Sequence, residues 1–414
     1  MSAPSARPAP RISPARAAVA LALLLGLQPV TTDIYLPALP LLTRDLGAPL
    51  AAAQQTMAAL ILAFGLGQMV WGPVTDRLGR RPVLLVGLVL YTVAALGCSL
   101  AGSIESLVAW RVLQGAALAS AVVVARAMLR DLYEPHEGAH VMSLGLSGLG
   151  LIALTGPALG GVLAATLGWR AALAATALSG LVALVFVWRG LPETLAVRNP
   201  RATQWRPMFS AWADIARHPT FRAWALLTGC TYGGLFTLLA GSSFVYMDVL
   251  SLGPVAYGLA LASNSACYIL GTFACRRWIA RWGVAGAVQR AAVFTLAAGV
   301  TVVALTAAGL HTVWALMVPM WAYAFAHGIH QPCGQSAVVG PFPAQAGAAS
   351  ALAGLVLSAI AFGVGAWLGV ALDGRIAPYA WTLGFWAVLT AAVAWGLVGR
   401  LPKAVPLAAA ARPS

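Results

Sequence analysis

The chain has 414 residues, of which 60% are hydrophobic and only 9% charged, and its 25 basic and 11 acidic residues leave a net charge of +14. An average soluble domain carries about 25% charged residues, so this composition cannot cover a soluble surface and points to a membrane protein. All the basic residues but Lys403 are arginines, set in short clusters between apolar runs. That pattern is the topological signature of membrane loops rather than the basic face of a nucleic-acid binder.

The N-terminal stretch 1–16, MSAPSARPAPRISPAR, is rich in Pro, Ala and Arg and is expected to be disordered and cytoplasmic. Together with the following AAVALALLLGLQ it imitates a signal peptide. No small-residue cleavage site follows and the apolar run continues past Val30, so an uncleaved first helix is expected. Crossing ~30 Å of hydrocarbon takes about 20 residues. Twelve apolar runs meet that length: 17–41, 53–73, 83–102, 107–127, 139–166, 169–189, 220–247, 254–275, 284–308, 312–336, 344–372 and 378–399. They are rich in Ala and Gly, whose small side chains let helices approach closely in lipid. The expected class is therefore an all-α membrane protein.

The longest connection, 190–219, is polar, basic and Pro-containing and divides the spans six and six. It suggests two six-helix bundles, 17–189 and 220–400, followed by a cytoplasmic tail, 401–414. The second span ends in DRLGRRP and the eighth in CRRWIARWGVAGAVQR, which keeps the basic residues and a glycine but not the aspartate. This is the mark of a parallel repeat, and paired pseudo-symmetric halves are a transporter architecture. With the N-terminus inside, 21 of the 25 basic residues fall in inner segments, Arg44, Arg170 and Arg375 in outer ones, and Arg111 within a span. Both termini are therefore expected in the cytoplasm. Trp188, Trp205 and Trp212 are expected at the membrane interface. The five cysteines lie in apolar segments without a CxxC pair, as packing or lipid-facing residues rather than a disulfide or zinc framework.

The second loop, Gly72-Pro73-Val74-Thr75-Asp76-Arg77-Leu78-Gly79-Arg80-Arg81-Pro82, concentrates charge that the chain otherwise avoids. Gly79 permits a tight reversal and Pro82 suits the first turn of the next helix. Three arginines would satisfy topology; Gly72, Asp76 and Gly79 need a further reason. The stretch resembles the signature loop of the major facilitator superfamily, G-x-L-a-D-r-x-G-r-k-x-x-l, with Val74 in place of the leucine. In that family the loop latches the two halves together on the cytoplasmic side, so the resemblance implies a conformational latch of Gly72, Asp76, Arg77, Gly79, Arg80 and Arg81. Leu107–Gly115 (LVAWRVLQG) looks like the fourth-helix motif of proton-coupled members. Gly145, Gly156, Pro157 and Gly160 resemble the fifth-helix motif of drug antiporters, although Ile152 and Ala164 depart from its glycines. TTDIYLPALP (31–40), RAMLRDLY (126–133) and AGAASALAGLVLS (346–358) are similar to segments of the bicyclomycin/chloramphenicol resistance (Bcr/CflA) branch.

Two ionisable groups fall inside spans. A carboxylate in hydrocarbon is costly unless protonated, paired or hydrated, which singles out Asp33 in the first span; Arg111 lies in the fourth. At 1.5 Å per residue Asp33 sits about 16 Å from Arg44 at the outer end, and Arg111 about 9 Å from Glu105. Both are then in the outer half, and kinks at Pro37 and Pro40 can close the remaining gap in depth. One reading makes Asp33 the proton acceptor, tuned by Arg111, with a cationic or polar substrate favouring its ionised form; the other makes the two a structural pair. Gln114, one turn from Arg111, either orients the guanidinium, lines the cavity or bonds helix to helix. His327 and His330, a turn apart in the tenth span, have no carboxylate beside them, which argues for cavity lining, a second titratable site or packing rather than metal. Tyr35, Tyr232, Phe236, Asn264, Tyr268 and Tyr323, with Tyr246, are candidates for an amphipathic cavity or for packing.

No phosphate loop and no G-x-S-x-G or H-E-x-x-H motif occurs, so neither ATP drive nor an enzyme is indicated, and no cofactor or metal is expected. By resemblance the chain is expected to be a monomeric inner-membrane drug:proton antiporter of the major facilitator fold. A proton-coupled importer or facilitator of a small metabolite would share the fold and the latch.

Overall fold

The computed structural model describes residues 12–200 and 202–401. The tail after residue 401 and most of the expected disordered N-terminus lie outside the described residues. Residues 14–16, expected in that segment, are already helical. Ser13 caps the first helix, α1 (Pro14–Asp33), by accepting from the Arg16 amide at 3.4 Å. The first span then breaks. A 3-10 turn over Leu36–Ala38 leads into a short α2 (Leu39–Asp45), with Pro37 and Pro40 withholding the N–H groups that a continuous helix needs.

The N-terminal half continues with α3 (Leu50–Leu78), α4 (Arg80–Ser99), α5 (Ile104–Leu132), α6 (Pro135–Thr166) and α7 (Trp169–Gly190). The reversal from α3 to α4 takes one residue, Gly79 at φ +110°, a backbone conformation that a side chain would strain. A reciprocal box between Ser103 and Ser106 caps α5. The C-terminal half comprises α9 (Pro219–Ser243), which runs into a π-helical turn over Phe244–Val249, then α10 (Pro254–Ala307), α11 (Val313–Val339), α12 (Ala346–Ala371) and α13 (Ala377–Gly396). Within α10 the eighth and ninth predicted spans meet end to end at Gly283, where φ is +69°. Gly283 occupies the place in the second half that Gly79 occupies in the first, which gives the decayed loop repeat a conformational basis.

Among the described residues, ten helical segments are long and apolar enough to cross a membrane. One of them, α10, holds two spans. The remaining span, α11, has lower hydropathy because it carries His327, His330, Gln331 and Gln335. Among the described residues there is no strand. One difference from the sequence expectation lies in the polar linker, which contains a helix, α8 (Trp205–Arg217). Its Ile215 is buried in the core of the C-terminal half, while Phe209 and Trp212 stack edge-on at 5.2 Å. Mixed with prolines and arginines, this amphipathic period was hidden by the segment's overall polarity.

Each half packs chiefly on itself, α5 against α3 and α4 in one and α10 against α11 and α13 in the other. The halves meet along α3–α12 and α6–α10. Under the six-span repeat the second span corresponds to the eighth and the fifth to the eleventh, so these two seams are images of one another. Apolar side chains such as Val89, Val93, Leu151, Trp367 and Phe385 point outward, as lipid-facing residues do. Four of the five cysteines, Cys98, Cys230, Cys275 and Cys333, are buried in packing positions, and the Cys275 and Cys333 sulfurs lie 3.6 Å apart.

Small residues set the helix spacing. A methyl group placed on Gly115 of α5 would lie 2.1 Å from the Leu60 carbonyl of α3, which is backbone and cannot move aside. Gly115→Val is expected to cost at least about 1–3 kcal/mol through overpacking, measured as a lower midpoint of thermal unfolding in detergent than for a lipid-facing Val89→Ala control.

Candidate functional site

Asp33 is the last residue of α1 and is half-buried. Its carboxylate accepts from the Thr32 hydroxyl at 2.7 Å. Gly156 of α6 faces it, and a Cβ there would lie 3.7 Å from the Asp33 Cβ. The turn that follows it, Leu36–Ala38, packs against α6 of its own half and against α9 and α10 of the other, so Asp33 lies beside the seam between the halves.

Arg111 of α5 is wholly buried. Its Nη1 donates to the Thr31 carbonyl at 3.3 Å and to Gln114 Oε1 at 3.1 Å, and the guanidinium stacks 3.8 Å over the Tyr35 ring. Its Nε and Nη2 have no partner. The expected Asp33–Arg111 pairing is not made: among the described residues no ion pair joins them. Residues 31 and 33 are about 200° apart around a helix, so α1 presents the Thr31 carbonyl, not the Asp33 side chain, to the guanidinium. Tyr35 and Gln114 serve Arg111 rather than a cavity. Tyr35 Oη shares a hydrogen bond with Thr56 Oγ1 at 2.5 Å, and Gln114 Nε2 donates to Thr176 at 3.5 Å, all inside the N-terminal half.

The fifth-span motif lies against the broken end of α1. A Cβ on Gly160 would come 2.4 Å from the Ile34 carbonyl, and one on Gly145 would come 2.7 Å from Leu21 Cβ. The carbonyl of Pro157 receives Gly258 of α10, where a Cβ would sit 2.4 Å away. The departure at Ile152 is compensated on the partner helix: Ile152 fills the space left by Gly26 of α1. The Gln54 amide donates to the Ala240 carbonyl at 2.6 Å across the same end, and Arg44 pairs with Asp248 at its rim. One apolar core spans both halves here, joining Tyr35, Leu39 and Met57 to Phe236, Tyr246 and Tyr257. At the opposite end, where α1 begins and α13 finishes (the terminal side), each half has its own separate core. The protein is thus sealed at the far side and divided at the terminal side. A recess of 250 Å³ beyond the seal, lined by Thr43, Leu50 and Arg375, is a rim feature away from these groups.

Between the halves, on the terminal side of the seal, lies a cavity of 120 Å³. Its polar wall includes Gln28, Gln68, Arg126, Gln331, Gln335 and Ser350; its apolar wall includes Ile61, Phe64, Val122 and Leu357. Of the residues named as cavity candidates, only Tyr232 lines it. Phe236 is in the sealing core. Asn264 is buried, donates to the Ala260 carbonyl at 3.2 Å and leaves its Oδ1 without a partner. Tyr323 donates to the Thr231 carbonyl at 3.0 Å. Gln114 was the one glutamine among the candidates; Gln28, Gln68, Gln331 and Gln335, which line the cavity, were not among them. Amides inside apolar spans were the available signal for this wall.

The two histidines form a defined chain. His330 Nε2 lies 3.2 Å from the Val288 carbonyl, which only accepts, so this nitrogen carries the proton. In the neutral ring His330 Nδ1 then accepts from Thr231 Oγ1 at 3.3 Å, and Thr231 Oγ1 accepts from His327 Nδ1–H at 3.0 Å. His327 sits between the rings of Tyr232 and Tyr268, at 6.5 and 5.8 Å. Among the described residues no group of three His, Cys, Asp or Glu side chains could hold a metal there.

On the terminal side Arg80 is the hub. Its Nη1 donates to Asp76 at 2.5 Å and its Nε to Asp131 at 2.8 Å, and its amide and that of Arg81 donate to Glu193 at 2.9 and 3.2 Å. Thr194 also donates to Asp131, at 3.2 Å. Arg77 donates to Thr203 at 2.7 Å, Arg81 to the Trp188 carbonyl at 2.9 Å, and the Asn199 amide to the Asp76 carbonyl at 2.9 Å. Every one of these partners belongs to the first half or the linker, so the loop ties α3, α4, α5 and the linker together and does not bridge the two halves in this state. Gly72 faces open space. Asp131 and Glu193 escaped the sequence reading, although with only 11 acids in the chain each deserved a partner. The Arg80 side chain is 7% exposed. Arg80→Met, which removes the charge-assisted bonds to two partly exposed carboxylates, is expected to cost about 1.5–3 kcal/mol, whereas Arg77→Met on the surface should shift stability by no more than about 0.5 kcal/mol, compared by thermal unfolding in detergent.

The family model described as Major Facilitator Superfamily matches residues 21–358. The chain is 30% identical over 292 residues to the chloramphenicol resistance protein of Pseudomonas aeruginosa, covering 70% of this chain and 68% of that protein. It is 29% identical over 334 residues to multidrug resistance protein D of Escherichia coli (strain K12), covering 81% and 83%. It is also 29% identical over 261 residues to the uncharacterized MFS-type transporter YdgK of Bacillus subtilis (strain 168), covering 62% of this chain and 65% of that protein. Among solved structures, the human organic anion transporter MFSD10 superposes with a TM-score of 0.70 at 20% identity, covering 94% of this chain and 100% of that one, which bears on the fold alone. Twelve helical spans in two related halves, a central seam holding a carboxylate, and these matches together establish that the chain belongs to the Major Facilitator Superfamily and is a multi-pass membrane transporter.

Proposed function

We propose that this protein exports drug-like or other small amphipathic molecules across the inner membrane in exchange for protons. The observation that carries the reading is Asp33: a half-buried carboxylate on the seam between the halves, beside the fifth-span glycines and at the edge of the far-side seal. The names of the relatives, a chloramphenicol resistance protein and a multidrug resistance protein, support export of drugs. The basic residues gathered on the terminal side support a cytoplasmic placement of both termini. The halves 17–189 and 220–400 are the moving units, with the linker 190–219 between them and one chain sufficient for transport.

In this scheme the far side opens to the outside and the terminal side to the cytoplasm. Asp33 takes up a proton when the far-side seal parts, and the neutral acid is then tolerated at the closed seam. Release toward the cytoplasm is driven by substrate entering from that side. Each proton entering gains about 2.3 kcal/mol per 100 mV of membrane potential. The terminal-side network of Arg80, Asp76, Asp131 and Glu193 holds the α3–α4 loop and the linker as one body while the halves rock.

The test is transport in inside-out vesicles with an imposed pH gradient. The natural chain should accumulate a substrate dye and release protons when substrate is added. Asp33→Asn should bind the dye yet lose both gradient-driven accumulation and substrate-induced proton release by at least about tenfold, the loss that corresponds to about 1.4 kcal/mol of coupling. Unchanged proton release in Asp33→Asn would refute Asp33 as the coupling site, and gradient-driven efflux from such vesicles would favour the importer.

A further inference from the structure

The cavity carries a charge opposite to the one that Asp33 would select for. Arg126 is the charged side chain in its wall, and Asp33 is not part of that wall. The sequence pattern places Arg126 among the inner loop arginines; the structure instead sets it within α5, half-buried and facing the seam. Its Nη1 donates to Ser350 Oγ of α12 at 3.5 Å, across the gap between the halves. Among the described residues no carboxylate comes within 4.0 Å of it, whereas Arg44, Arg80, Arg170 and Arg375 each have one. Arg130 follows one turn toward the terminal side on the same helix face, also without such a partner, because the neighbouring Asp131 is engaged by Arg80. Arg126 therefore stands in the cavity wall as a cation without a carboxylate, an arrangement that concentrates anions there.

The rest of the polar wall is amide and hydroxyl. One of these groups, Gln331 Oε1, is buried with no hydrogen-bond partner. An unmet buried acceptor is destabilising until a donor reaches it, and this one lies in the same wall as the Arg126 guanidinium. A guanidinium recognises a carboxylate through two parallel N–H···O bonds, and a low-dielectric cavity strengthens that contact. Opposite it, Phe64, Ile61 and Leu357 offer an apolar surface.

We propose that the cavity is a binding site for amphipathic organic anions: a carboxylate on Arg126, a hydrogen-bond donor on Gln331 Oε1 and an apolar body against the Phe64 wall. The cavity is smaller than the roughly 300 Å³ at which drug-sized sites begin, so binding accompanies a parting of the halves and releases the Arg126–Ser350 contact. This inference deepens the transport reading by naming a substrate class, and it rests on that reading only for the direction in which the anion moves.

Binding is tested with the full chain in lipid nanodiscs, by equilibrium dialysis of 1-naphthylacetate, its methyl ester and 1-naphthylmethylammonium against loaded and empty discs. The acid should bind at least about tenfold more tightly than the ester, the ratio expected of one charge-assisted contact, and the ammonium should bind least. Arg126→Gln should erase the preference for the acid while leaving the ester within about twofold. Arg126→Lys, which keeps the charge without the fork, should restore part of it. Equal binding of acid and ester to the natural chain, equal loss of both in Arg126→Gln, or no binding of any of the three would overturn the proposal. Charge-selective binding that survives together with failure of proton-driven export would uphold it and overturn the exporter reading instead.

Discussion

The guanidinium of Arg111 is buried where no water can reach it, and what it bonds to determines much of this protein's organisation. The last carbonyls of a helix have no intrahelical partner. α1 ends at Asp33, so the Thr31 carbonyl is such a group, and Arg111 Nη1 caps it from α5. The break in the first span and the arginine in the fourth are therefore two halves of one device. The proline-rich turn frees a carbonyl, and the buried cation satisfies it, with the Tyr35 ring and Gln114 completing the cage. Because the cage is built from neutral groups, Asp33 is left without the ion pair that would lock it in its charged form. A carboxylate free of such a partner can change its protonation state at modest cost, which a strong buried pair would forbid.

The two ends of the molecule are held by different forces. At the far side the halves share one apolar core, reinforced by close backbone contacts at Gly160 and Gly258 and rimmed by the exposed Arg44–Asp248 pair. An exposed pair of this kind contributes about 0–1 kcal/mol, so the seal is a matter of packing. At the terminal side, the strong charge interactions stay within one half and its linker. Where the halves do face each other, a long hydrogen bond from Arg126 to Ser350 crosses the gap. A seam that is dry and closely packed at one end and polar and weakly joined at the other will open first at the polar end.

Much of this was legible in the residues. Asp33 and Arg111 stand out because a charge inside an apolar run is costly, and the positive-φ turns at Gly79 and Gly283 sit in the two copies of one loop. The convergence of Asp76, Asp131 and Glu193 on Arg80 was not legible. These acids are separated by up to 117 positions in the chain, and each reads locally as an ordinary loop acid. The glutamine wall of the cavity was likewise hidden, since an amide within a span carries no charge to draw notice, and its partners come from helices far apart in sequence. The α8 helix was obscured by a composition that averages to polar although one face is apolar.

Sequence alone determined which segments enter the membrane, where they turn, and which ionisable groups are carried into hydrocarbon, because those properties follow from local hydropathy and backbone chemistry. Tertiary structure alone decided which groups meet. It put a backbone carbonyl rather than Asp33 on Arg111, turned Arg126 into the seam, strung His327, Thr231 and His330 into one hydrogen-bonded chain, and sealed one end while leaving the other divided. The physical reason is helical phase: a displacement of two residues moves a side chain to the opposite face of its helix. Only the packed arrangement of neighbouring helices determines which face meets which.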